Sequence, residues 1–224
     1  ILAADSRKGV SVFKIGNIAA VRSGYPFRTR LGADPEGNAF VLQMKDVSPK
    51  GAADIAGAIL TLVKAPAAHQ LRVGDVVLKG RGSTQCAVVE ELPASLPLVA
   101  AAPIFVLRAD RQKVEPDFLR WLLNHPSTQA RLGATAVGTY VPTVTKALIE
   151  ELDVDVPPLE TQKLIVEVAR LAERERELLE AISQLRTDAR DQLLLRLCRT
   201  SGGTRKQGGR RGAATPRLPD HKQR

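Results

Sequence analysis

The sequence predicts an α+β protein: a strand-rich domain over residues 1–156, a long coiled-coil-type helix over 157–198 and a basic tail over 199–224. Two patterns carry this. From Val10 to Arg108 short apolar stretches alternate with Gly, Pro, Asn and Asp, as in a chain of strands and turns. From Leu164 to Ala189 the positions 164, 168, 171, 175, 178, 182, 185 and 189 step by four and three residues, the period of a helix that packs along one seam.

The strand candidates, in order, are Val10–Phe13, Phe40–Met44, Ile59–Val63, Val76–Leu78, Cys86–Val89 and Ile104–Leu107. Each is rich in β-branched or large apolar residues, and Gly74-Asp75 supplies a turn before the fourth. A helix is expected from Pro116, since proline's fixed φ suits a first helical turn; it would bury Phe118, Leu119, Leu122 and Trp121 and end or kink at Pro126. In the long helix Leu164, Val168, Leu171, Leu178, Ile182, Leu185 and Ala189 form a narrow apolar stripe that Glu175 interrupts. Pro157-Pro158 marks its start and Gly202-Gly203 lies beyond its end, so about 35 to 40 residues would make a rod of roughly 50 to 60 Å. One narrow stripe needs a partner helix, and no second helix of matching length is legible in the sequence.

The net charge of +9 is unevenly placed. Arg199, Arg205, Lys206, Arg210, Arg211, Arg217, Lys222 and Arg224 face only Asp220 in the tail, which leaves the body close to neutral. The body must therefore concentrate its positive charge on one face if it binds nucleic acid. The tail has almost no large apolar side chain to offset ordering entropy and is expected to be disordered. An apolar fraction of 44% suffices for a core, and no apolar run is long enough to span a bilayer. No secretory leader is legible, so a cytoplasmic location is expected. Cys86 and Cys198 are far apart and His69, His125 and His221 are scattered, which encodes neither a disulfide framework nor a metal site.

The residues of an enzyme are also not legible. A base-modifying methyltransferase needs a glycine-rich cofactor turn and an Asn or Asp before Pro-Pro and an aromatic; here Asp155-Val156 precede Pro157-Pro158 and Leu159 follows. No P-loop is present, and Glu90-Glu91 and Glu150-Glu151 lack nuclease-like partners and read as solvated faces. No catalytic residue, metal or cofactor is expected.

Several phrases, taken in order, resemble the DNA specificity subunits of type I restriction-modification systems. They are Ile15-Gly16-Asn17-Ile18-Ala19 with Ser23-Gly24, then Gln43-Met44-Lys45-Asp46-Val47, then Leu71-Arg72-Val73-Gly74-Asp75-Val76-Val77-Leu78 with Arg81-Gly82. Phe118-Leu119-Arg120-Trp121-Leu122 and Gly138-Thr139-Tyr140-Val141-Pro142 follow, then Leu152, Val154 and Val156-Pro157-Pro158-Leu159-Glu160-Thr161-Gln162 ahead of the long helix. The resemblance covers residues 10–197. It departs at Thr161, where an acidic residue is more usual, and in having one recognition domain where typical members have two.

The resemblance implies a half-length form with a single target recognition domain, a non-catalytic DNA reader that directs an adenine methyltransferase subunit, with or without a restriction subunit, to its target. It also implies pairing of the long helix with its equivalent, as in a homodimer, so that two recognition domains read a split site on double-stranded DNA. Antiparallel pairing over the full helix would separate the half-sites by more than the ~34 to 36 Å of one DNA turn. Polar and basic loop residues are the candidates for DNA contact, because Arg and Lys read guanine or phosphate while Gln and Thr read other base edges. They are Arg28, Arg30, Lys45, Lys79, Arg81, Thr84, Gln85, Tyr140 and Lys146. The near-neutral body leaves a second reading open, a coiled-coil interaction adaptor whose strand-rich domain binds protein. An RNA-binding role ranks last, since aromatics for base stacking make up only 4% of the chain.

Overall fold

The computed structural model describes residues 9–201, except Thr29, 49–50 and 136–142. Of the tail expected to be disordered over 199–224, the residues from 202 onward lie outside the described residues, as does the candidate Tyr140. The chain forms two compact units, 1–171 and 172–224.

The first unit is built on a four-stranded antiparallel sheet in the order β2 (Ala19–Ser23), β8 (Ile104–Ala109), β5 (Asp75–Lys79), β6 (Cys86–Val88). A three-stranded sheet is ordered β4 (Ile59–Thr61), β3 (Ala39–Leu42), β7 (Leu98–Ala100), with β3 and β7 parallel. A two-stranded ribbon pairs β1 (Ser11–Lys14) with β9 (Asp153–Val156), Ser11 opposite Val156.

Side-chain alternation splits the four-stranded sheet between two cores. Val21, Val76, Leu78, Cys86 and Leu107 face α2 (Pro116–Asn124), α3 (Pro126–Thr135) and α4 (Lys146–Glu150). Val77, Ala87, Val89 and Val106 face the other way, onto Leu42, Leu98 and Ala100 of the second sheet. A sheet covered on both faces reads as continuous apolar runs, which is why Val76–Leu78 and Ile104–Leu107 were legible as strands. Every expected strand is present, with ends shifted by a residue or two. Three further strands, β2, β7 and β9, are not among those expected. β2 reads Ala-Ala-Val-Arg-Ser and β7 has three residues, so neither has the propensity or length to stand out; their partners β8 and β3 hold them.

Pro116 opens α2 as expected, and Phe118, Leu119 and Leu123 are buried while Trp121 and Leu122 are partly so. Pro126 ends α2 and opens α3. A short α1 (Pro66–His69) lies before β5, and the Ala102–Pro103 bond is cis.

The long helix α5 runs Leu159–Ser201, 43 residues or roughly 65 Å. It runs past the expected end at 198 through 199–201, residues that the sequence reading assigned to the tail. Its first turns belong to the strand-rich unit: Gln162 is buried, and Ile165 and Val166 pack on the helix-side core. Leu164, Val168 and Leu171 point away from that core, 60 to 67% exposed, and Leu178, Ile182, Leu185 and Ala189 are also exposed. The predicted stripe is thus bare in a single chain. Pairs such as Arg170–Glu167 (3.2 Å) and Arg174–Glu177 (3.3 Å) decorate the helix, and each adds only a few tenths of a kcal/mol.

Cys86 is buried and its thiol donates to the Arg120 carbonyl at 3.4 Å, and burial pushes its pKa up to about 12. Cys198 is exposed. A thiol reagent at neutral pH is expected to modify Cys198 quickly and Cys86 only in denaturant; rapid reaction of both thiols in the native chain would contradict this packing.

Candidate nucleic-acid interface

Antiparallel pairing brings one end of every strand in the large sheet to the same edge: the end of β2, the start of β8, the end of β5 and the start of β6. The loops that leave this edge carry most of the candidate residues. Hydrogen bonds knit them around the Ala102-Pro103 turn. The Gly80 N–H donates to the Pro103 carbonyl at 2.8 Å, the Val144 N–H donates to the Gly80 carbonyl at 2.9 Å, and Arg81 bridges to Thr143. The Ala101 N–H donates to Leu42 at 2.9 Å and so draws in the short helical turn Met44–Asp46. Leu31, Gln43, Lys45 and Pro103 together line a shallow cavity of about 300 Å³, which places the chain after Arg30 beside Lys45.

Arg28, Arg30, Lys45 and Arg81 are exposed, and Lys79 and Gln85 are half-buried in the β5–β6 hairpin, where the Lys79 N–H donates to the Gln85 carbonyl at 3.0 Å. Thr84 is placed otherwise. It is only 5% exposed; its hydroxyl donates to Gln129 Oε1 at 2.6 Å and its carbonyl accepts from Gln129 Nε2 at 2.9 Å. It ties the hairpin to α3. Lys146, at the start of α4, turns its ammonium back onto Glu150 at 3.4 Å. Thr145 caps that helix, accepting from the Leu148 N–H.

Two buried carboxylates are fully engaged, Asp46 in the turn beside this edge and Asp75 at the opposite end of the same sheet. Asp46 is buried and accepts from the Gln43 N–H at 2.8 Å, with Lys45 Nζ 3.9 Å away; burial raises its pKa above the ordinary carboxylate value. Asp75, 1% exposed, accepts from Arg108 Nε and Nη2, both at 2.7 Å, and from the Arg72 N–H at 2.8 Å. That hydrogen bonding raises the Arg108 pKa further. Arg22 stands on the same sheet face, its Nη2 3.9 Å from Asp75 Oδ2. The sequence did not single out Arg22, since a lone arginine in an unrecognised strand carries no periodic signal. Among the described residues no group of three or more His, Cys, Asp or Glu could hold a metal ion, and no helix is long and apolar enough to cross a membrane.

Close approach at this edge requires Gly24. A Cβ there would sit 2.7 Å from the Ala100 carbonyl oxygen and 2.8 Å from the Ala101 carbonyl carbon, backbone atoms that cannot swing aside. Gly24→Ala is expected to cost about 2 kcal/mol or more in a denaturant melt by forcing β2 away from the β7–β8 turn; an unchanged midpoint would show that the edge is not packed this way.

No protein-family model matches the chain, and no curated protein matches it in sequence. Solved structures do. The HsdS subunit from Thermoanaerobacter tengcongensis is 22% identical with a TM-score of 0.58, over 94% of this chain and 52% of that one. The type I restriction-modification system S subunit from M. genitalium is 15% identical with a TM-score of 0.54, over 85% and 46%. A chain from a structure on assembly and conformational transition of the type I R-M system is 20% identical with a TM-score of 0.61, over 96% and 53%. The chain spans about half the length of these proteins. It has the fold of type I restriction-modification specificity subunits.

Proposed function

We propose that this chain is a non-catalytic, DNA sequence-reading part of a type I restriction-modification system, with residues 1–156 as its target recognition domain. The observation that carries the reading is that Lys79, Arg81 and Gln85 leave one end of the large sheet beside the Pro103 turn and Lys45, with Arg28 and Arg30 exposed on the chain that follows β2, in a body that is close to neutral overall. Concentrated positive charge on one face is what a weakly charged body needs to engage phosphates, and side chains on loops beyond a rigid sheet can reach base edges. Lys146 opens α4, close in the chain to Thr143, which bridges to Arg81, and Thr84 braces the β5–β6 hairpin against α3; Tyr140 is kept as a candidate from the sequence alone.

The bare stripe on α5 supports pairing with an equivalent helix. Pairing with a second copy would bring two recognition domains to one split target and build the platform on which an adenine methyltransferase subunit, with or without a restriction subunit, acts. In duplex titrations at two salt concentrations, with the methyltransferase supplied, Arg81→Ala is expected to weaken binding about tenfold or more and relax specificity if Arg81 reads a base. If it contacts phosphate, the salt slope flattens by about one instead. Leu178→Glu with Ile182→Glu is expected to abolish self-association in sedimentation equilibrium.

The near-neutral body and the exposed helix also fit an interaction adaptor. A chain that self-associates normally, yet leaves every duplex unbound with the methyltransferase present, would favour that reading over DNA recognition.

A further inference from the structure

On the face of the large sheet that meets the second sheet, Arg22, Arg108 and Asp75 lie near one another on the adjacent strands β2, β8 and β5. The charges there do not balance. The single carboxylate of Asp75 is engaged by both donors of Arg108 and by the Arg72 N–H. Arg22 lies 3.9 Å off, within Coulombic reach of Asp75, yet its Nη2 is buried and has no hydrogen-bond partner among the described residues. Burial and the neighbouring Arg108 cation both push the Arg22 pKa below its ordinary value, more than Asp75 restores it. A guanidinium taken partly out of water without a hydrogen-bonded counter-charge is costly, and the cost is offset when an anion occupies the remaining donors.

Space for one is present. Arg22 lines a cavity of about 160 Å³ together with Ser23, Gly24, Tyr25 and His69. Tyr25 is held as a wall, its ring edge-on to Phe27 at 4.8 Å and to His69 at 5.1 Å, and its hydroxyl accepts from the Lys64 N–H at 3.3 Å. Arginine, serine and imidazole side chains on one cavity, with no carboxylate among its lining residues, form an oxyanion-binding set.

We infer that this cavity is a phosphate-binding site, in which the Arg22 guanidinium forks onto one phosphate group and Ser23 and His69 complete its cradle. Arg22 pairs with Val106, two residues from the sheet edge that carries Arg81 and Lys45, so the phosphate is a backbone phosphate of bound DNA. That identification rests on the DNA-reading proposal; the oxyanion site itself does not. The competing explanation is an arginine satisfied by water alone, for which replacement by a neutral side chain changes no binding property.

Two arms separate these possibilities, both on the full chain, with thermal melts to check that each variant is folded. In the first, a 30-base-pair duplex is titrated at several salt concentrations with the methyltransferase present. Arg22→Gln is expected to weaken binding about tenfold and flatten the slope of log affinity against log salt by about one, while Arg22→Lys retains the slope. In the second, inorganic phosphate is added without DNA and the His69 imidazole is followed by NMR. The parent chain is expected to shift and saturate, and Arg22→Gln to stay still. If the parent binds DNA and Arg22→Gln matches it in affinity and slope, the backbone-phosphate assignment is wrong though the DNA reading stands. If the parent binds no duplex but phosphate shifts His69 in an Arg22-dependent way, the oxyanion site stands and the DNA reading fails. If phosphate leaves His69 unmoved in the parent, the site is overturned.

Discussion

A Gln162→Glu chain is expected to melt roughly 10 °C below the parent at neutral pH, the largest effect of any single isosteric change proposed for this fold. Gln162 is fully buried in the first turn of α5, where its amide makes a closed set of bonds. Oε1 accepts from the Glu115 N–H at 2.9 Å, and Nε2 donates to the carbonyls of Lys113 at 2.9 Å and Pro157 at 2.8 Å. A carboxylate keeps the acceptor and loses both donors, so a buried negative charge faces two carbonyl oxygens. An orphaned buried group costs about 1 to 3 kcal/mol, and a buried charge adds to that. A loss of about 4 kcal/mol translates to roughly 8 to 16 °C in a unit of this size. Acidification should recover part of the loss, because the protonated acid regains one donor. Gln162→Ala should fall short of this penalty at neutral pH and show no recovery. A melt within 2 °C of the parent for Gln162→Glu would mean that Gln162 does not tie the start of α5 to the loop before α2.

Asp75→Asn is expected to cost about 3 kcal/mol, read as a shifted denaturant midpoint with an unchanged slope. The substitution preserves shape but removes the charge and sets an amide NH2 against N–H donors where a carboxylate oxygen accepted. Arg108 loses its bidentate partner, and Arg22 loses the only carboxylate within 4 Å of it among the described residues. Arg108 is 30% exposed and water softens its side of the penalty, which holds the expectation at the lower end of the range for breaking a buried pair. Arg108→Met should cost less than Asp75→Asn, because Arg22 can close its 3.9 Å gap to the carboxylate. Combining Arg108→Met with Arg22→Gln should then cost more than the sum of the two alone. Simple additivity would place Arg22 outside the network.

What the sequence made legible was local and periodic. The apolar runs at Val76–Leu78 and Ile104–Leu107 are strands because both faces of their sheet are covered, and a fully buried strand shows itself in composition. Pro116 and Pro126 bound α2 because proline acts through its own ring and φ, wherever the rest of the chain goes. The α5 stripe was legible because a helix repeats its environment every three to four residues. Gln162 drew notice only as part of a familiar phrase, and its work became visible once Lys113 and Glu115 were placed against it.

The sequence alone therefore determined the strand-rich head, the long helix with its bare seam, and the phrase order that marks the fold. Only the tertiary structure decided which loops meet: strand pairing set the β5–β6 hairpin and Lys45 on either side of the Pro103 turn, turned Thr84 inward onto Gln129, and left Arg22 lining a cavity beside an already satisfied carboxylate. The physical reason is range. Turn chemistry and helical period act between near neighbours in the chain, whereas a charge environment such as that of Arg22 is assembled from residues as distant as Asp75 and Arg108 and exists only after the strands have paired.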